Sequence, residues 1–378
     1  MKNIILFLIA GLMLSCGVKK DPSYTINAHL TGFEDSTKFY LKSFTDDVII
    51  DSTHLVDGHL HFSGKLQKVP QSLSLKSGKG YSFTALYMGN EEVVLKGDKK
   101  DFPYHLLIET KKTGFAWQKK LLDDQMKDLH QQRLDTLTKY AYNPNSENPM
   151  EAVILGRKQT RGIDAAMDSI EYQYILDHPD FEYAMQQLYF RRSQFGKEKL
   201  QALYEQFSPE VQQSSTGEKL KFYVNHKIPE IGDDYYDFTA LNQEKDSVQF
   251  SSYLGKYVLL EFTSNSCLPC ILALPDLESI TQTYADSLTV VSFQIDKSES
   301  DLLKLLGRHE GTWPVLWSGE GADDLIQRTY GVQGVPAFFL LSPKGKVIDK
   351  WSGYGEGSLI SRMKKNFPES KEELMARE

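Results

Sequence analysis

Cysteine is scarce in this 378-residue chain: three in all, and none after Cys270. That tally excludes a disulfide-stapled scaffold. It also leaves a zinc site short of ligands, since four are needed and usually come from a second Cys-x-x-Cys or a Cys/His pair. Positive charge is in deficit as well. A formal net charge of −8 speaks against a nucleic acid partner, whose phosphates select a basic face. Long apolar runs are missing too: Ile4 to Leu14 is too short to cross a bilayer, and no later segment is long or apolar enough. The bulk is ordinary, with 40% hydrophobic and 25% charged residues, and the length allows two or three domains with cores of their own.

The short apolar run follows a positively charged start, Met1-Lys2-Asn3, and ends on the small residue Ser15 before Cys16, which reads as an export signal. Leu12-Met13-Leu14-Ser15-Cys16-Gly17 resembles a bacterial lipoprotein box, although Met13 stands where that pattern prefers leucine. The resemblance implies a signal peptide over 1–15, lipid attachment at Cys16 and a tether over 16–23. The competing reading is an ordinary secretory peptide with an incidental cysteine. With Cys16 acylated, Cys267 and Cys270 are the free thiols of a mature chain in an oxidising compartment. The expected location is the cell envelope, lipid-anchored to a bacterial membrane, with the soluble part in the periplasm or at the cell surface.

Three textures follow. Over 24–112, short alternating stretches such as Tyr24 to Leu30, Lys38 to Leu41 and Val93 to Leu95 are broken by Gly, Asp and Asn, the pattern of an antiparallel β-sandwich. Asp57-Gly58 is its sharpest hairpin signal. Over 113–230 the period becomes helical, with candidates at Phe115 to Leu137, Met150 to Leu176, Phe181 to Arg191, Lys197 to Phe207 and Glu210 to Val224. Their aromatic and leucine stripes are core rather than a cofactor box. Over 231–378 strands alternate with helices, so the fold class is multi-domain α/β: an N-terminal sandwich, a central helical segment and a C-terminal mixed sheet flanked by helices.

The chemistry concentrates at Cys267-Leu268-Pro269-Cys270, where the apolar strand Tyr257 to Phe262 hands over to the helix opening near Ile271. Such a pair cycles between dithiol and disulfide. At a helix start the macrodipole and unpaired N–H groups favour a thiolate at Cys267, which makes it the nucleophile, with Cys270 one turn deeper as the resolving sulfur. A structural, unreactive pair is the plain alternative.

Gly255-Lys256-Tyr257-Val258-Leu259-Leu260-Glu261-Phe262, the Cys-x-x-Cys with Pro275, and Tyr330-Gly331-Val332-Gln333-Gly334-Val335-Pro336-Ala337-Phe338 together resemble the TlpA/ResA branch of the thioredoxin-like fold, over about 231–367. The earlier stretch Ile49-Ile50-Asp51-Ser52-Thr53 with Asp57-Gly58-His59-Leu60-His61-Phe62-Ser63-Gly64 resembles the N-terminal domain of unknown function that often precedes such a domain. The resemblance implies that Pro336 is a cis-proline packed against the redox pair, exposing the backbone of Val335 to a substrate strand. Proline suits this place because X-Pro is the bond where cis is accessible, and it removes a competing donor at the sulfurs. A trans proline opening a strand is the alternative.

Glu261 sits inside an apolar strand, where a carboxylate is costly unless paired, neutral or useful. It matches the thioredoxin position of a buried acid that exchanges protons with the resolving sulfur, and burial is expected to raise its pKa. The alternative is a strand-edge glutamate facing solvent. Three departures stand against the family pattern: Thr263 and Ser266 replace tryptophans, and Ala273 replaces the acid on the redox helix. With Leu268-Pro269 supplying no charge to the Cys267 thiolate, a reductant or isomerase of fairly low potential is expected.

The sequence therefore points to an envelope thiol-disulfide oxidoreductase exchanging its dithiol with protein thiols and disulfides, re-reduced by an electron-donating partner and using no cofactor. A peroxiredoxin would need a proline and a threonine where Leu260 and Ser264 stand. A scaffolding lipoprotein with a vestigial pair is the rival class. His59 and His61 share a strand face, but they read as surface polar residues, and no metal site is expected.

Overall fold

The computed structural model describes residues 23–367 apart from 45–47, 79–82, 141–148, 310–312 and 322–323. The leader and Cys16 lie outside the described residues. Compact packing divides the chain into two units, 1–173 and 174–378, parted within one long helix.

The first unit opens with β1 (Tyr24–Thr31), β2 (Lys38–Ser43), β3 (Ile49–His54), β4 (His59–Gly64), β5 (Gln71–Ser77), β6 (Phe83–Met88), β7 (Glu92–Asp98) and β8 (Leu107–Thr110). They form two four-stranded sheets, ordered β4-β1-β7-β8 and β3-β2-β5-β6. Alternation decides what each strand buries: Tyr24, Ile26, Ala28 and Leu30 of β1 face inward while His29 and Thr31 face water. Both sheets contribute to one core, Ile26, Phe62, Val93 and Leu95 from the first and Phe39, Leu41, Leu73 and Leu75 from the second. Each such buried side chain contributes about 1.5–3 kcal/mol.

Two details differ from the sequence expectation. β1 pairs with β7 in parallel, a pairing open to them because no tight hairpin joins strands so far apart in the chain. The Asp57-Gly58 turn forms, with φ of +50° and +76° and a bridge between Val56 and His59. It does not close a two-strand hairpin: β3 and β4 belong to different sheets, and the turn carries the chain from one to the other. β6 and β8 went unread in the sequence, β6 because its buried positions do not alternate and β8 because it spans four residues.

The helices are α1 (Phe115–Tyr140), α2 (Pro149–Asp177), α3 (Glu182–Arg191), α4 (Lys197–Tyr204), α5 (Pro209–Gln212) and α6 (Ser215–Asn225). The single helix expected over 210–224 is two, because Ser214 stops the first and caps the second, its Oγ accepting from Gly217 N at 3.1 Å. The chain folds back tightly there: a Cβ on Gly217 would meet the carbonyl oxygens of Val211 and Gln212 at 2.4 Å. Among the described residues no helix is long and apolar enough to cross a membrane.

The C-terminal part contains β9 (Thr239–Leu241), β10 (Ser247–Gln249), β11 (Tyr257–Thr263), α7 (Leu268–Thr283), β12 (Leu288–Gln294), α8 (Glu299–His309), β13 (Val315–Trp317), α9 (Leu325–Thr329), β14 (Ala337–Leu341), β15 (Val347–Ser352) and α10 (Ser358–Asn366). Its seven-stranded sheet is ordered β10-β9-β13-β12-β11-β14-β15, with β11 parallel to β12 and antiparallel to β14. β11 is covered on both faces, which explains its nearly unbroken apolar run. Val258, Leu260 and Phe262 enter one core with Phe293, Tyr330 and Phe339. Leu259 enters the other with Ala273, Leu277, Val290, Trp313 and Phe338. β13, only three residues long, went unread in the sequence.

Candidate redox site

β11 ends at Thr263, and the turn that follows delivers Cys267 to the N-cap of α7. Cys267 and Cys270 form a disulfide. Cys270 N–H lies 3.2 Å from Cys267 Sγ, so an unpaired backbone donor of the first helical turn points at this sulfur. Pro269 in the first turn sacrifices no helical hydrogen bond. Burial separates the two sulfurs: Cys267 is partly exposed, whereas Cys270 is 1% exposed. A reagent in solution therefore meets Cys267 first.

Facing it is the loop between α9 and β14. The Val335–Pro336 peptide is cis, and Val335 O lies 3.3 Å from Cys267 Sγ. A disulfide sulfur carries no hydrogen, so this is a contact in the oxidised form; in the dithiol the Cys267 thiol can donate to that carbonyl. Gly334, with nothing within 4 Å of where a Cβ would stand, leaves the approach open. Exposed Leu268 and Leu272 on the outer side of α7 add apolar surface beside the sulfur.

Gly331 sets where this loop begins. It adopts φ +68°, and a Cβ there would stand 2.6 Å from Ile228 Cδ1. Gly331→Ala is expected to destabilise the fold by about 2 kcal/mol, combining left-handed strain with the contact. Chemical denaturation of the two proteins measures it.

The turn before Cys267 is held by a polar network that sequence reasoning missed. Asp296, just past β12, accepts from Ser264 Oγ at 2.8 Å and from Asn265 N at 2.6 Å. Asn265 Nδ2 donates to Asp301 at 3.2 Å, and Arg308 donates to Asn265 O at 2.8 Å. Ser266, where the sequence departs from the pattern it resembles, is exposed and its hydroxyl lies 3.0 Å from Ser264 Oγ. An aspartate at a strand end carries too weak a sequence signal to reveal this network.

Glu261 lies in the middle of the sheet at 1% exposure, on the face toward α7, not at a solvent-facing edge. Ser292 Oγ on β12 donates to its Oε2 at 2.6 Å, and Trp313 Nε1 donates to Ser292 Oγ at 2.9 Å. Its Oε1 and the nearby Thr263 Oγ1 have no full hydrogen-bond partner. Burial raises its pKa from 4.5 to about 7, against the opposing pull of the Ser292 and Thr263 hydroxyls. Ala273, the third departure from the resembled pattern, is fully buried in the core beneath α7 and contributes no charge. His59 pairs in register with His29, and His61 Nδ1 lies 2.8 Å from Asn27 Oδ1. Among the described residues no group of three or more His, Cys, Asp or Glu could hold a metal ion.

A mixed sheet, a Cys-x-x-Cys at the start of the helix after its central strand, and a cis-proline loop against the sulfur define a thioredoxin-like domain. Comparison with known proteins agrees: residues 255–347 match the family model described as thioredoxin-like, and residues 24–121 match the domain of unknown function DUF4369. The chain thus joins a DUF4369 domain to a thioredoxin-like one. It is 32% identical over 117 residues to the thioredoxin-like protein YneN of Bacillus subtilis, a stretch covering 30% of this chain and 65% of YneN. It is 24% identical over 133 residues to the thiol-disulfide oxidoreductase ResA of Bacillus thuringiensis, covering 35% of this chain and 75% of ResA. A solved thiol:disulfide interchange protein from Bacteroides sp. is 24% identical, with 38% of this chain and 95% of that one covered and a TM-score of 0.35.

Proposed function

We propose that the chain is a thiol-disulfide oxidoreductase of the cell envelope, held at a membrane through lipid on Cys16 and acting as a reductant or isomerase on protein disulfides. The observation that carries it is the asymmetry of the pair: an accessible Cys267 at a helix N-cap, a buried Cys270 one turn below, and the Val335 carbonyl beside the outer sulfur.

In the dithiol form the Cys267 thiolate attacks one sulfur of a substrate disulfide. A Cys267–substrate bond forms, and the other substrate sulfur leaves as a thiolate. Val335, with Pro336 fixing its orientation, offers backbone to an extended substrate segment on either side of that disulfide. Cys270 gives up its proton, for which Glu261 is the buried acceptor, and its thiolate attacks Cys267 Sγ. The intramolecular disulfide forms, the mixed disulfide breaks, and the electron pair departs on the substrate sulfur. Two electrons have passed to the substrate, so a dithiol protein partner must return them. The lipid anchor and the compartment rest on the sequence reading of residues 1–16.

With no charged residue between the cysteines, the reduction potential of the pair is expected at about −250 mV or below, in the range of reducing thioredoxins. Equilibration of the purified protein with dithiol buffers, read by alkylation, measures it. A value near −120 mV would make the protein an oxidant and overturn the direction of the reading. Failure to catalyse insulin reduction from any dithiol donor would overturn the activity.

A further inference from the structure

Ser292 is a buried polar residue of β12 that the exchange reaction just described does not use, and its bonding leaves it one role. Trp313 Nε1 can only donate, so Ser292 Oγ accepts there. The hydroxyl hydrogen then goes to Glu261 Oε2, since no other acceptor is recorded for it among the described residues. The chain Trp313→Ser292→Glu261 is therefore polarised in one direction. A carboxyl whose Oε2 already receives a hydrogen favours its own proton on the other oxygen, because the carbonyl-type oxygen is the better acceptor. That oxygen, Oε1, has no full partner.

The fold places this carboxyl under the redox helix. Leu259, two residues earlier on the same face of β11, packs with Ala273 and Leu277 of α7. α7 runs back along the sheet from the end of β11, so Glu261, one step nearer that end, comes under the turn carrying Cys270 and Ala273. The groups around it are Ser292 from β12, Trp313 ahead of β13 through Ser292, Phe338 from β14 and Thr263 on its own strand, with α7 covering this face of the sheet. None of these titrates, the titratable group on the first turn of α7 is Cys270, and no charged side chain acts on the carboxyl.

Resting on the reading of Glu261 as the proton acceptor, we propose that Ser292 and Trp313 are positioning residues that lock Glu261 Oε2 and direct Oε1 as the proton-carrying oxygen toward the resolving cysteine. The step balances: the Cys270 S–H bond breaks and an O–H bond forms at Oε1, the freed Cys270 electron pair makes the Cys267–Cys270 bond, and the Cys267–substrate bond breaks with its electron pair leaving on the substrate sulfur. Because the relay can only donate, it favours the carboxylate and holds its titration down against burial, close to neutral pH.

The test uses the purified full chain and two readouts. One is the pH dependence, from pH 5 to 9, of the rate at which a Cys267–glutathione mixed disulfide resolves. The other is the C=O stretch of the protonated buried carboxyl in infrared difference spectra, identified by its loss in Glu261→Gln. Ser292→Ala is expected to move the inflection up by about one pH unit, the effect of one lost donor to an anion. It should also raise the stretch frequency, because the carbonyl-type Oε2 loses its donor. Ser292→Thr, which keeps a hydroxyl, should restore both. Trp313→Phe, which frees the hydroxyl to turn, should shift both in the same direction by less. In the Glu261→Gln background Ser292→Ala should change nothing further. An unmoved stretch and inflection in Ser292→Ala would overturn the relay, as would an equal rate change in the Glu261→Gln background. The stretch does not depend on turnover. A wild-type profile identical to that of Glu261→Gln would remove Glu261 from proton transfer, and loss of glutathione exchange itself would strike the thiol-disulfide reading.

Discussion

Cys267→Ser is expected to abolish insulin reduction, with a loss of at least about 10³-fold, because the attacking sulfur is replaced by a hydroxyl that does not form a mixed disulfide at neutral pH. Cys270→Ser should behave differently. Its Cys267 remains the exposed sulfur at the α7 N-cap, so it still attacks a substrate disulfide, but the buried resolving thiol is gone. The expected product is a stable Cys267–substrate adduct, visible as a higher-mass band on non-reducing gels that disappears with dithiothreitol. The pair of variants separates the two functions of the motif. A Cys267→Ser protein as active as wild type would leave a vestigial pair on a scaffolding protein, and adducts forming through Cys270 in that variant would reverse the assignment of roles. The adduct from Cys270→Ser also provides the route to the substrates, whose identity lies in what becomes trapped.

Much of the site was legible in the sequence for reasons that are local. The Cys-x-x-Cys at a strand-to-helix boundary needs only periodicity and spacing, and the structure places Cys267 at the N-cap and Cys270 beneath it. Glu261 stood out because one acid in an apolar strand demands an explanation, and its burial in the centre of the sheet follows from the same run of residues. What stayed hidden depends on pairing between distant segments. Ser292 meets Glu261 only because β12 lies beside β11 in that register, and Trp313 reaches Ser292 only because β13 joins the far side of β12. Asp296 clamping the turn at Ser264 and Asn265 is of the same kind. In the sandwich, the Asp57-Gly58 turn was readable from two residues, but which strands it separates was decided by the core, where β4 pairs with β1. The chain's alternation could not show that β1 runs parallel to β7, because the same inward and outward pattern serves either direction.

Glu261 should also leave a mark on stability. In the folded protein its pKa is raised from 4.5 to about 7 by burial. Between these values the folded chain holds a proton that the unfolded chain has released, so the folded state loses stability as pH rises through that window. At 1.36 kcal/mol per unit the loss amounts to about 3 kcal/mol once the pH is above 7 and the anion is buried. The neutral form is favoured below pH 4.5, where the contribution is fully present. Glu261→Gln, uncharged at every pH, removes this dependence. Relative to wild type it should therefore gain about 2.5 kcal/mol between pH 5 and pH 8, most of it on crossing pH 5 to 7, with other titrating groups cancelling in the comparison. Its amide nitrogen replaces an oxygen in a site that offers few acceptors, so the variant is expected to be the less stable protein at pH 5 and the more stable one at pH 8. Urea unfolding of the oxidised proteins at the two pH values measures the crossover. Parallel stability curves would mean that Glu261 is ionised in the folded state across the range, and a carboxylate already ionised at neutral pH has too little affinity for a thiol proton to serve Cys270. The same burial that costs the fold stability at alkaline pH is what brings the carboxyl's titration close to that of a thiol.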